Sequence, residues 1–295
     1  LMSLQARPRI VCSYIDRPYR PPMTFSIVAR GADGKSFGVA VASKFLAVGA
    51  AVPAAEAGIG AIATQAYASL AYRADGLAQW RDGRRAQLTL DSLVATDDKR
   101  ESRQVGVVDA AGAAATFTGS ECNPWAGGVT GDGYAIQGNI LVGPEVVEAM
   151  EQAWLGSGPD EPLARRLLAG LTAGDDAGGD SRGRQSAALL VVTPEGGYGG
   201  GSDVLVDLRV DDHVAPVAEL ARLLDLHDLY FAKPDPDTLL DLEGDMAAEV
   251  RTLLAKRGFA RPTALEQYQL ARHDVGYAFV DELNRQGYAK PQTAE

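Results

Sequence analysis

From Thr24 onward the chain alternates between apolar and polar positions. In TFSIVAR (24–30), Phe25, Ile27 and Ala29 fall on one face and Thr24, Ser26 and Val28 on the other, the period-two signature of a strand. GADGK has the glycine and aspartate content of a turn, and SFGVAVASK returns as the second strand of a hairpin. GIGAIATQA (58–66) predicts a third, buried strand. Between residues 67 and 98 the alternation stops. Leu77 and Trp80, then Leu90, Leu93 and Val94, recur at helical spacings and predict two short helices. RQVGVVDAAGAAATFTG (103–119) predicts a second hairpin turning at Asp109–Gly112, and GYAIQGNILVG (133–143) another short strand. Pro144 stands at the first turn of a helix striped by Val146, Val147, Met150, Ala153 and Trp154. Leu163, Leu167, Leu168 and Leu171 mark the next helix, and the polar loop GDDAGGDSRGRQ leads into the strands SAALLVV and DVLVDLRV. Hairpin strands segregated from helices predict antiparallel sheets covered by helices, an α+β layered domain.

The two ends differ from this middle. Residues 1–22 carry no helical or strand period. After DDHVAPVAELARLLDLHDLY comes FAKPDPDT, a proline- and aspartate-rich linker. Beyond it LLAKRGFARP (253–262) is echoed by ELNRQGYAKP (282–291), each a helix end closed by Gly258 or Gly287 and followed by an apolar contact residue. The expected organisation is an unpatterned extension over 1–22, a main domain over 23–227 and a small helical module over 228–295.

Charge narrows the partners. With 28 lysines and arginines against 39 aspartates and glutamates the net charge is −11, so neither nucleic acid nor an anionic membrane surface is expected, since phosphate neutralisation needs a basic face. The longest weakly polar run, Val48–Ala63, is interrupted by Pro53 and Glu56 and predicts no membrane span. Residues 1–22 hold Arg7, Arg9, Asp16, Arg17 and Arg20 without the apolar core of a signal peptide, so the expected compartment is the cytoplasm.

The chemistry on offer is sparse. Two cysteines, Cys12 and Cys122, make no disulfide framework or zinc spacing, and there are three histidines, His213, His227 and His273. No dinucleotide fingerprint, Walker loop or H-E-x-x-H occurs. GGYGGGSD (196–203) joins two predicted strands and reads as a wide turn, and DDH (211–213) as a solvated strand end; no metal and no cofactor are expected. Cys122 reads as a nucleophile or as a buried structural thiol.

One mechanism needs no histidine. A chain that begins at threonine carries nucleophile and base in one residue, because the α-amine has an unperturbed pKa of about 7.7–8, near what a general base requires. If Met23 is the initiator, its removal leaves TFSIVAR. Residues 1–22 are then either a propeptide released by autolysis at Met23–Thr24 or an upstream extension from a start codon placed too early.

MTFSIVAR, GVAVASKFLAVGAAVP, GAIATQA, RQVGVVD, FTGSEC, WAG, QGNIL, AGGDSRGRQSAALLVV and VDLRVDDH together resemble the bacterial and archaeal family known as domain of unknown function 1028, from about Met23 to about Leu226. The resemblance implies the N-terminal-nucleophile (Ntn) hydrolase-like fold, a four-layer αββα sandwich. The tail from about Leu229 resembles a peptidoglycan-binding module, carried by LEGDMAAEVRTLLAKRGF. The implied activity is metal-independent amidohydrolysis of a small C–N substrate, with Thr24 as nucleophile and Ser26, on the same face, as competitor. At the end of the second strand, where superfamily enzymes often place aspartate, this chain has Ser43 and Lys44; Lys44 either tunes the amine or is a surface lysine. Gln65, Gln137 and Asn139 are amides in apolar settings, Asn139 the expected oxyanion donor and Gln65 and Gln137 substrate contacts, against the plain reading of satisfied core amides. Asp180, Arg182, Arg184 and Gln185 either grip a substrate carboxylate or lock their own loop. The rival expectation is a non-catalytic ligand-binding protein whose tail contacts cell-wall glycan or another protein. A homodimer associated through helices is expected by analogy.

Overall fold

The computed structural model describes residues 24–231 and the isolated helical positions 245, 248 and 252. The N-terminal extension, Met23 and the C-terminal helical module lie outside the described residues, apart from those isolated positions. The chain divides into two units, residues 1–224 and 225–295.

Among the described residues, ten strands form two antiparallel sheets. The six-stranded sheet has the order β10-β9-β2-β1-β8-β7 and the four-stranded sheet the order β3-β4-β5-β6. In the first sheet these are β1 (Thr24–Arg30), β2 (Phe37–Ser43), β7 (Gly127–Gly131), β8 (Tyr134–Asn139), β9 (Ser186–Val192) and β10 (Val204–Val210). In the second they are β3 (Pro53–Glu56), β4 (Gly60–Ala66), β5 (Arg103–Asp109) and β6 (Ala114–Thr118). Within residues 24–231 they are accompanied by the helices α1 (Val48–Ala51), α2 (Ala71–Arg81), α3 (Ala86–Ala95), α4 (Glu145–Gly156), α5 (Leu163–Asp176) and α6 (Pro216–Phe231). The mixed α+β class expected from the pattern is observed.

Three apolar clusters explain the packing. Phe25, Ile27 and Ala29 join Ile136 and Leu189 beneath Met150 and Trp154 of α4, Leu167 and Leu171 of α5 and Leu220 of α6. Val28, on the opposite face of β1, meets Val39, Val41, Ala61, Ala63 and Val108, so the two sheets are joined face to face. The far side of the four-stranded sheet, through Ile62, Val105 and Val107, packs on Tyr72 and Trp80 of α2 and Leu90 and Leu93 of α3. Each fully buried large apolar side chain contributes about 1.5–3 kcal/mol. β1 lies between β2 and β8 and is buried on both faces, so its inward-facing Thr24, Ser26 and Val28 lie between the sheets rather than in water.

Four elements lie outside those the pattern predicts: α1, β3, β7 and α6. α1 has four residues, and β3, PAAE, has small side chains that show no period. β7, GGVTG, is a sheet edge exposed at every second position. The strand expected over 133–143 ends at Asn139, because Ile140 adopts a left-handed backbone (φ 52°) that no strand can continue through.

Candidate functional site

The register of β1 brings the sequence-selected residues to one end of the six-stranded sheet. Thr24, the first residue of β1, pairs with Ser43 of β2 and Asn139 of β8. Gly31 donates its N–H to Ser36 O, and hydrogen-bonded pairs recur every second residue, so Thr24 and Ser43 form a non-hydrogen-bonded pair, whose side chains approach most closely. Their hydroxyls are 3.2 Å apart. On the other side Arg30 donates to Gly133 O at 2.8 Å, and the same counting puts Thr24 on a hydrogen-bonded pair with Asn139.

Behind Thr24 lies a chain of amides between the sheets. Gln65 Nε2 donates to the Thr24 carbonyl (3.2 Å), to Gln104 Oε1 (2.8 Å) and to the Gln137 carbonyl (3.3 Å). Asn139 Nδ2 donates to Gln104 Oε1 at 2.9 Å and lies 3.5 Å from the Thr24 carbonyl. Ser26 Oγ donates to Gln65 Oε1 and accepts from Gln137 Nε2, both at 2.6 Å. All five of these side chains are buried. Gly106 makes the arrangement possible: a Cβ there would stand 1.9 Å from Gln137 Oε1.

Gln104 is the residue that sequence reasoning missed. Its Oε1 accepts from two amides, and its Nε2 donates to Thr118 Oγ1 (2.9 Å), Gly127 O (3.2 Å) and Gly138 O (2.7 Å). The available signal was an amide in an otherwise apolar strand, RQVGVVD, of the same kind as Gln65 and Gln137.

Thr24 and Gln65 line a cavity of about 220 Å³ whose other walls come from Phe45, Val48, Val52, Ala66 and Leu70 among others. Ser26, Gln104, Gln137 and Asn139 are not among its lining residues. Three non-glycine residues with left-handed backbones surround this end: Ala47 (φ 53°) beyond β2, Ala66 (φ 58°) closing β4 and Ile140 (φ 52°) after β8. Such conformations cost about 1–3 kcal/mol each and concentrate at functional sites.

The charged candidates stand elsewhere. Lys44 is exposed, and its Nζ donates to the Arg184 carbonyl at 3.0 Å. Asp180 is buried and accepts from the Lys44 N–H (2.6 Å), the Arg182 N–H (2.9 Å) and the Arg182 guanidinium (3.3 Å). It also bridges to Leu141, so its loop ties the end of β2 to the end of β8 across the start of β1. Arg184 donates to Asp175 at 2.7 Å, and that bond raises its pKa. Gln185 donates to Asp212 at 3.1 Å.

The remaining motifs resolve as local structure. His213 Nδ1 accepts from the Ala215 N–H beside the start of α6 (3.1 Å), and among the described residues no three His, Cys, Asp or Glu side chains converge as metal ligands do. GGYGGGSD joins β9 to β10. Cys122 donates to the Arg103 carbonyl, and burial pushes its thiol up to about 11, which disfavours the thiolate. Two G-x-S-x-G runs begin at Gly34 and Gly179. Neither forms a strand-to-helix elbow: Ser36 sits in the β1–β2 turn bonded to Asp33, and Ser181 in the loop before β9.

This architecture has relatives. The model of a family described as a family of unknown function (DUF1028) matches residues 24–220, two thirds of the chain and starting at Thr24 itself. The chain belongs to the DUF1028 family. A solved structure similar to it is the crystal structure of protein SPO2555 from Silicibacter pomeroyi, also DUF1028, with 31% identity and a TM-score of 0.62, covering 77% of this chain and 93% of that one. No curated protein matches. Among the described residues of this DUF1028 chain, no helix is long and apolar enough to cross a membrane.

Proposed function

We propose that this DUF1028 chain is an Ntn-type amidohydrolase, its two sheets and flanking helices forming the four-layer αββα sandwich of that superfamily, and that Thr24 becomes the N-terminal residue of the active form. The observation that carries the reading is Thr24 itself. It heads a central strand, its hydroxyl meets the Ser43 hydroxyl, its carbonyl is held by Gln65, and it lines a cavity. The family match beginning at this residue supports the same choice.

With a free amine, Thr24 Oγ attacks the amide carbonyl carbon while its proton passes to the α-amine. The tetrahedral intermediate expels the leaving amine, which takes that proton, and an acyl ester remains on Oγ. Water, deprotonated by the same amine, then releases the acid. An amine on the hydrogen-bonded side of the β1–β8 pair donates one N–H to the Asn139 carbonyl and keeps its lone pair for the Oγ proton. Asn139 and Gln65 hold the Thr24 carbonyl and are positioning residues.

A second reading, ligand binding without catalysis, is favoured by one observation: of the described residues lining the cavity, Tyr67 alone is titratable. The two separate on protein purified from its native host. Hydrolysis requires an intact mass beginning at Thr24, cleavage of an amide, and loss of at least about 10³-fold in rate on Thr24→Ala. A mass retaining residues 1–23, with equal rates in both proteins, removes Thr24 from the mechanism.

A further inference from the structure

The cavity beside Thr24 has a chemistry of its own. Apart from Thr24, Gln65 and Tyr67, its described lining residues are all apolar, among them Phe45, Val48, Ala51, Val52 and Leu70, and none is charged. Cations near this end are held elsewhere: Lys44 on the Arg184 carbonyl, Arg184 on Asp175, Arg182 on Asp180, and Arg73 on the Ala50 carbonyl at 2.9 Å. A carboxylate against the apolar walls, away from Thr24, Gln65 and Tyr67, would lose hydration without gaining a charged partner, which costs several kcal/mol.

Size and shape add to this. At about 220 Å³ the space exceeds the cavity of about 150 Å³ that takes up benzene in an engineered protein interior. Its α1 wall is fixed: Val48 N donates to Ser186 Oγ at 3.1 Å, Ala47 N donates to Asp211 O at 3.0 Å, and Gly49 lies so close to Ala188 that a Cβ would stand 2.5 Å from that methyl. At the mouth, Phe45 and Leu70 remain 38% and 53% exposed, and Leu46 beside them 58%, so the apolar surface continues outward.

We propose that this cavity is an acyl pocket, and that the substrates are amides of uncharged apolar acids larger than benzoic acid, of the arylalkanoic or medium-chain aliphatic class. The proposal rests on Thr24 as nucleophile only for the word substrate; the ligand class follows from the cavity alone.

The test uses the chain from Thr24 to Glu295 and four anilides: acetyl, hexanoyl, phenylacetyl and glutaryl. Hexanoyl and phenylacetyl anilides are expected to show kcat/KM at least ten times that of the other two. Leu70→Glu at the exposed mouth and Ala51→Trp in the wall should each remove that preference. A preference for acetyl or glutaryl overturns the acyl pocket while leaving Thr24 as nucleophile. Where no anilide is cleaved, calorimetry on Thr24→Ala with hexanamide and phenylacetamide decides. Binding that Ala51→Trp abolishes supports the ligand class and sinks the hydrolase reading. Absence of binding overturns the proposal.

Discussion

At the scale of single residues, the central pair is Thr24 and Ser43, two hydroxyls 3.2 Å apart on the inter-sheet side of a non-hydrogen-bonded strand pair. On the proposed mechanism, Ser43 orients Thr24 Oγ and shuttles its proton. Ser43→Ala should fold normally and lower kcat by about 10-fold or more, the scale of a single proton-transfer contact; an unchanged kcat in the Thr24-initiated protein would remove Ser43 from the site. Because an α-amine loses its proton near about pH 7.7–8, kcat/KM should rise through that range and level off, and a profile flat from pH 6 to 9 would argue against an amine base. Much of this was legible in the sequence. Thr24 stood out because alternation starts there behind a methionine, and the hairpin register follows from where GADGK turns. The separation of Lys44 from Thr24 was not legible. Successive strand residues face opposite ways, so Ser43 points inward and Lys44 is carried outward to the Arg184 carbonyl.

At the scale of elements, the two sheets meet through apolar contact along most of their length and through amides at the Thr24 end. Gln104 of β5 joins β4, β6, β7 and β8 by its own hydrogen bonds. Gln104→Leu leaves Gln65 and Asn139 with buried donors lacking their best acceptor, and should destabilise by about 2–4 kcal/mol in urea unfolding; a loss under about 0.5 kcal/mol would mean that the network relaxes without it. A nearby ion pair braces the cavity wall. Arg103 donates to Asp97 at 2.8 Å and to the Tyr67 carbonyl at 2.6 Å. Its guanidinium, with the Lys99 N–H and the Tyr72 hydroxyl, holds the Asp97 carboxyl down at about 2, against an ordinary 3.8. A carboxyl whose pKa is lower folded than unfolded stabilises the fold above about pH 4 and loses that contribution as the pH falls towards 2. Asp97→Asn should therefore lower the melting temperature at pH 6, with the gap to the parent closing between pH 4 and pH 2. A gap that stays constant across this window would place the effect elsewhere. The amide network was only half legible, because its members come from three distant strands and each alone reads as a core amide. Elements α1, β3 and β7 were hidden for a simpler reason: runs such as VGAA, PAAE and GGVTG hold too few large side chains to show a period.

At the scale of the whole molecule, helices cover each sheet on the side turned away from the other sheet, and the strand that carries Thr24 lies inside that arrangement. The hairpin alternation and the helical stripes predict antiparallel sheets covered by helices; that two sheets stack face to face is implied by the family resemblance and not by the pattern. Strand order across the six-stranded sheet, with β9 beside β2 and β8 beside β1, has no local signal, because those pairings join segments over a hundred residues apart. Three left-handed residues, Ala47, Ala66 and Ile140, terminate or follow β2, β4 and β8 at the one end where Thr24 begins. Backbone strain, cavity and hydroxyl pair thus converge there, and the account turns on whether Thr24 carries a free amine. The most direct measurement compares amide hydrolysis by the chain beginning at Thr24 with the same chain bearing one additional alanine before it. The account predicts turnover in the first and background rate in the second, since the extra residue converts the amine to an amide. Equal turnover in both would contradict it.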